Sequence, residues 1–400
     1  QCTVDEVERL FEVFQEEVET VYPVVDSQRL ASHAGSILEY IRGRDGSRQP
    51  CGRTVHAGLT DKDLEIAKVA LATAMVIEAP QATARTASLI ESVESHSLYY
   101  FHCNEDLLAW RTIGHAARAA LEMGLHRKTT VSTMFREQEQ QQEATRVFWC
   151  IYVLDRRWSF GTSLPFTLGD RDIDPELAEP DSQHDYLRCS IRYGRLCSNL
   201  WDALFSHGQA HGNSISNETA EALNAQTQAW FDSIPPRLRL RNPQSDLTPA
   251  SSTSYSSTSP SHPDQPQALL RLRALLYLRA NHTRLLIYRQ HLTSPARVRT
   301  SSGRADLAVT IARDTVDLLA RLHAGSDIYA RQQNGFNYFL VAAVAAIFLA
   351  VCHAPDAFAE PCRDSFGAAV ALVRDLSRFS RASRRLWRSV RGLLPRLRRL

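Results

Sequence analysis

Lysine is nearly missing from this 400-residue chain. Of its 46 basic residues only Lys62, Lys68 and Lys128 are lysines, and all the others are arginines. A GC-rich coding sequence accounts for that bias, although an arginine-rich surface also favours bidentate recognition of carboxylates and phosphates. Charge of one sign is lacking as well. The 46 basic residues face 44 acidic ones, a net charge of +2, which excludes a polycation that holds nucleic acid by bulk charge. Paired cysteines are lacking too. Cys2, Cys51, Cys103, Cys150, Cys189, Cys197, Cys352 and Cys362 are scattered without a CxxC, so neither a disulfide framework nor a zinc-ribbon spacing is present. Cys103, Cys150 and Cys352 fall in apolar runs, where a free thiol packs as a small hydrophobe. That usage suits a reducing compartment, cytosol or nucleus. The chain opens at Gln1, which predicts a fragment or a processed form, and its first residues are acidic with no apolar signal-peptide core. The longest apolar run, Tyr338 to Cys352, spans about fifteen residues, short of the ~18 needed to cross a bilayer. It predicts a buried core helix, and no membrane partner is expected.

What is present is helical periodicity, with almost no strand-type alternation. Val4, Val7, Phe11, Phe14, Val18 and Tyr22 recur at threes and fours, with glutamates on the other face and Pro23 as the stop. A second helix is predicted to start at Thr60-Asp61, and a third to cover roughly 82–102, through Tyr99-Tyr100-Phe101. A fourth is capped at Asn104 and carries Leu107, Trp110, Ile113, Ala117 and Leu121, with Gly124 as its C-terminal cap. The next helix, roughly 137–160, begins polar and turns apolar from Val147 to Leu154, as a helix entering the middle of a fold would. Further helices are predicted at 268–291, 304–323, 334–353 and about 363–398. Between them, residues 241–267 collapse into Ser, Thr, Pro and Asp and are predicted to be disordered, since they cannot bury enough apolar surface to offset their ordering entropy. The expectation is an all-α fold: a large multi-helical, bundle-like domain in an N-terminal part (1–240) and a C-terminal part (268–400), separated by one long disordered loop.

Catalytic signatures do not appear. There is no GxSxG, HExxH, Walker A, GxGxxG or DDxxD, and nothing pairs a nucleophile with a base. No catalytic residue and no metal site is assigned. Asp170, Asp172 and Asp174 alternate like the start of a calcium loop, but Pro175 stands where that loop needs glycine and Asp181 where it needs glutamate. They read as turn caps. His207 and His211 stand four apart, but beside two glycines and with no further ligand, and read as a loop. Asp155-Arg156 is either a ligand-anchoring ion pair or a buried pair that fixes its helix to the Asp172/Asp174 loop. Tyr100, Trp149, Tyr152 and Trp158 are candidate walls of an effector pocket, or simply core. Ten arginines among the last thirty residues form either a solvated helix face or a surface for acidic partners or nuclear import.

Two stretches carry a family resemblance. In NEDLLAWRTIGHAARAALEMGLHRK the residues are Trp110, Gly114, Ala116, Arg118, Ala120, Gly124, Leu125, His126 and Arg127. In RVFWCIYVLDRRWSFGTSLPFTLGDRDIDPELAEP they are Arg146, Phe148, Trp149, Tyr152, Leu154, Asp155 and Arg156, then Gly161, Asp170, Asp172, Ile173 and Asp174. In this order they resemble the fungal-specific transcription factor domain, the middle homology region of zinc-cluster regulators. Gly161-Thr162-Ser163-Leu164-Pro165 departs from the Gly-Arg-Pro loop usual there, and Gln290 stands after Leu285–Arg289 where proline is usual. The resemblance implies a regulatory region of a nuclear transcription factor. It implies DNA contact through a zinc cluster that these residues lack, with zinc confined to that cluster and no cofactor here. It further implies a small-molecule effector, homodimerisation and contact with the transcription machinery. The rival readings are an all-helical enzyme and a helical scaffold that senses nothing.

Overall fold

The computed structural model describes residues 3–23, 25–43, 59–78, 97–103, 105–205, 215–240, 266–378 and 381–391. Among them the structure is helical and contains no strand. The chain divides into two compact units, residues 1–194 and 195–400. The serine-rich stretch at 241–267 lies, but for its last two residues, outside the described residues.

The first unit opens with α1 (Val4–Phe14), whose N-cap Thr3 accepts the Glu6 amide. Val7, Leu10, Phe11, Val13 and Phe14 are buried on its inner face. The helix loosens into a π-turn at Gln15–Glu19 before Pro23. After α2 (Ser27–Ala31) and α3 (Ala34–Gly43) comes α4 (Asp61–Glu78). Thr60 and Asp63 cap α4 reciprocally: the Asp63 amide donates to Thr60 Oγ1 at 3.2 Å, and the Thr60 amide donates to Asp63 Oδ2 at 2.8 Å. Small residues Ala67, Ala70 and Ala74 on α4 belong to the same core cluster as the large apolar residues of α1. Then follow α5 (Ser97–His102), α6 (Asp106–Glu122), α7 (Lys128–Met134) and α8 (Gln138–Thr162). The N-cap of α6 is Glu105, whereas the predicted cap, Asn104, lies outside the described residues. At the other end of α6, Gly124 takes φ +73°, and the Leu125 amide donates to the Ala120 carbonyl at 3.0 Å, a Schellman closure. The α9 helix (Asp185–Phe205) crosses the division between the units.

The second unit holds α10 (Asn217–Asp232), α11 (Pro266–Tyr288), α12 (Pro295–Thr300), α13 (Ser302–Gly325), α14 (Ile328–Arg331), α15 (Gln333–His353), α16 (Pro355–Leu376) and α17 (Arg381–Arg391). Its centre is α15, packed against α11, α13, α16 and α17. At 21 residues α15 is long and apolar enough to cross a membrane by length and composition. It exceeds the fifteen-residue apolar run because Gln333 and Asn337 extend it. Both polar side chains are buried and partnered. Tyr329 Oη donates to Asn337 Oδ1 at 2.9 Å, Asn337 Nδ2 donates to Ser383 Oγ at 3.1 Å, and Ser383 Oγ donates to Gln333 Oε1 at 2.7 Å. Phe336, Leu340, Ile347 and Ala350 are fully buried within this unit, so α15 is a core helix. One long helix was expected over about 363–398. The structure instead has two, because α16 starts at Pro355, runs through Pro361 and ends at Leu376.

Candidate functional site

Helix α8 supplies most of the residues singled out from the sequence. Its first two turns are polar. From Thr145 on, Phe148, Trp149, Tyr152, Asp155, Arg156 and Ser159 are buried, at spacings that keep most of them on one side of the helix. The helix closes at Ser163, in left-handed backbone at φ 57°, and the Leu164 amide returns to the Ser159 carbonyl at 3.0 Å. The chain then doubles back so that residues 165–178 lie along α8 and are gripped by its side chains.

Asp155 is the centre of that grip. It is wholly buried, and its carboxylate accepts the Thr167 amide at 3.0 Å and the Leu168 amide at 3.1 Å. Burial raises its pKa, while those amides and the adjacent Arg156 oppose the rise. Arg156 Nη1 lies 3.2 Å from Asp155 Oδ2, and its Nη2 donates to Asp170 Oδ1 at 2.8 Å. The same Asp170 oxygen accepts the Tyr152 hydroxyl at 2.6 Å. The Arg156 guanidinium is sandwiched between the rings of Tyr152 and Phe166, 4.2 and 4.3 Å from their centroids. A Cβ at Gly194 would stand 2.6 Å from the Tyr152 ring, so only glycine lets the chain pass there.

Two tryptophans extend the grip. Trp149 Nε1 donates to the Ala178 carbonyl at 2.8 Å. Trp110 Nε1, from α6, reaches Ser159 Oγ at 3.2 Å and the Pro165 carbonyl at 3.3 Å. Gly114, one turn along α6, faces Thr167, whose hydroxyl would lie 3.2 Å from an added Cβ. The acidic segment is divided in its roles. Asp170 serves Arg156, whereas Asp174 ties the far end to the turn after α6: its amide donates to the His126 carbonyl at 3.0 Å, and its carboxylate accepts the Lys128 amide at 3.0 Å. The Glu176 and Lys128 amides hold the Asp174 carboxyl below its ordinary value. Asp172 is exposed beside the turn at Gly169, and Arg127, the N-cap of α7, is exposed too. His126 is buried, and burial lowers its pKa.

Asp155 and Arg156 therefore meet residues 166–170 rather than Asp172 or Asp174. Asp170, Phe166, Thr167 and Gly194 complete the clasp, and nothing in helical periodicity distinguishes them. The four aromatic residues proposed as pocket walls fall in separate contacts. Trp149 and Tyr152 pack edge to face at 5.4 Å, Trp158 lies 4.5 Å from Phe101, and Tyr100 packs with Tyr99 beside Ala72 of α4. His207 and His211 lie outside the described residues.

Residues 81–188 match the family model of the fungal specific transcription factor domain. Over those residues the chain is similar to that domain. The match encloses α5 to α8 and the whole acidic segment. Curated relatives are fungal regulators. An uncharacterized transcriptional regulatory protein of Schizosaccharomyces pombe is 27% identical over 162 residues, 36% of this chain and 21% of that protein. Activator of stress genes 1 of Saccharomyces cerevisiae is 28% identical over 161 residues, 35% of this chain and 16% of its own length. A transcription factor of Gibberella moniliformis is 22% identical over 223 residues, 51% of this chain and 28% of its own length. The chain thus spans less than a third of the curated relatives it matches. No solved structure matches. Within the matched residues, Trp110, Gly114, Trp149, Tyr152, Asp155, Arg156, Asp170 and Asp174 of the ordered motif take part in the clasp.

Proposed function

We propose that this chain is a regulatory region of a fungal transcription regulator. In this reading it acts in the nucleus, DNA is contacted by a zinc cluster outside these residues, and the helical units relay a signal to the transcription machinery. The observation that carries the reading is the coincidence of the family match at 81–188 with the buried clasp on α8. A clasp built of buried charge, rather than apolar packing alone, costs stability unless every group is paired. It holds one arrangement of the segment, and loss of one partner releases it. That is the behaviour a regulatory element needs. The finer part of the reading is that a small molecule sets the state of the domain, with a homodimer as the working form.

Fusing the whole chain to a heterologous DNA-binding domain and measuring reporter RNA in yeast tests it. Reporter transcription is expected to change several-fold against the DNA-binding domain alone. A fusion that is folded, nuclear and bound at its site yet leaves the reporter unchanged would sink the reading.

A further inference from the structure

A second arginine of α8 is placed unlike the first. Arg156 is paired with two carboxylates, whereas its neighbour Arg157 has none among the described residues. The Arg157 guanidinium lies 4.5 Å from the Phe101 ring centroid, 4.9 Å from Trp158 and 5.8 Å from Tyr22. Its one hydrogen bond among the described residues runs from Nη1 to the Tyr22 hydroxyl, at 2.6 Å. The three rings come from distant parts of the first unit: the end of the α1 segment, α5, and α8 itself. All three are buried, while Arg157 is only half-buried and so remains reachable from solvent.

With one N–H spent on the Tyr22 hydroxyl, the guanidinium over the Phe101 and Trp158 rings keeps further N–H donors, which match a carboxylate. Beside it, the Trp158 indole N–H is buried and has no acceptor among the described residues. Leaving a buried donor unsatisfied is costly, so an acceptor that reaches both groups is favoured. Among the described residues a cation without a counter-charge, a donor without an acceptor and aromatic rings coincide here.

We propose that Arg157 and the Trp158 N–H anchor the carboxylate of a small apolar or aromatic acid, with Phe101, Trp158 and Tyr22 as walls. A single guanidinium balances a monoanion. A phosphate dianion would need a second cation, and the adjacent Arg156 is committed to Asp155 and Asp170. The proposal rests on the effector-sensing reading above and names the class of effector.

The test titrates the whole chain with phenylacetate and indole-3-acetate, with their neutral amides, and with inorganic phosphate, following tryptophan fluorescence and melting temperature. The acids are expected to bind saturably and to raise the melting temperature, and the amides to bind at least about tenfold more weakly. Arg157→Gln should lose acid binding. Arg157→Lys, which keeps the charge but not the fork and guards against a folding defect, should weaken it several-fold. Trp158→Phe should also weaken it. Amides equal to acids, acid binding unchanged in Arg157→Gln, phosphate binding in place of the acids, or no saturation by any acid in a cooperatively folded chain would each overturn the proposal. The reporter assay, run with and without the added acid so that the response read is the acid-dependent one, separates the two readings. Acid binding with no reporter response keeps the anion site and removes sensing. A reporter response that survives Arg157→Gln removes the site and keeps sensing.

Discussion

At the residue scale, Asp155 decides whether residues 165–178 stay against α8. Its carboxylate serves two backbone amides and one guanidinium from a site with no solvent, so truncation leaves three donors facing apolar packing. Removing one partner of a buried pair typically costs 3–5 kcal/mol. Asp155→Ala is therefore expected to lower unfolding free energy by about 3 kcal/mol in urea titration. Asp155→Asn should recover little of that, because its amide nitrogen cannot accept from Thr167 or Leu168. A loss below about 1 kcal/mol for Asp155→Ala would mean that the segment is held by packing alone. The sequence pointed to Asp155 and Arg156 as a pair, because charges in an apolar helical run must find partners. It did not point to Asp170. Asp170, Asp172 and Asp174 look alike in the chain, and only the reversal at Ser163 sets which of them meets Arg156.

At the element scale, polar residues explain both what was legible and what was not. The start of α4 and the close of α6 at Gly124 follow local rules of capping and backbone conformation, and those depend on few neighbours. The helix predicted at 334–353 matches α15 to within one residue, but the partners of its buried Gln333 and Asn337, Tyr329 and Ser383, lie on α14 and α17. No local rule could foresee them. Likewise Pro361 suggests a helix boundary, yet α16 runs through it, giving up the i→i−4 bond that its missing N–H cannot make. Another buried polar group, His282 on α11, carries a pH signature. It packs against the rings of Tyr338 and Phe339 on α15. Burial, reinforced by the Arg289 charge, depresses its pKa from 6.5 to about 3. A depressed folded-state pKa gives stability that is whole above the unfolded value near 6.5 and is lost as pH falls toward 3. At pH 4 the loss should be on the order of 3 kcal/mol from this group. His282→Phe, which keeps a ring against Tyr338, should flatten the stability profile between pH 6.5 and 4. An unchanged acid slope in that variant would show that His282 does not titrate with unfolding.

At the scale of the whole molecule, composition and ordered motifs carried the class and the family, whereas the pairing of residues across segments needed the fold. Helical periodicity spread over 400 residues with no strand pattern leaves few architectures, and the described residues are all-α. The cysteines make the same point in chemical form. They are too scattered in sequence to share a metal, and the fold buries Cys150, Cys189, Cys197 and Cys362, while Cys352, expected in the core, is exposed. Burial pushes the Cys150 thiol up to about 12 and raises Cys103 and Cys362 as well. A zinc ligand must be a thiolate, so thiols held protonated at neutral pH are poor donors. The described residues likewise hold no group of three His, Cys, Asp or Glu placed to share an ion. The whole chain, purified without chelator, is accordingly expected to carry no stoichiometric zinc by elemental analysis, and EDTA should leave its melting temperature unchanged. One zinc per chain, with melting that falls in EDTA, would place a structural metal within these residues. It would then be wrong to assign DNA contact to a cluster outside them on chemical grounds.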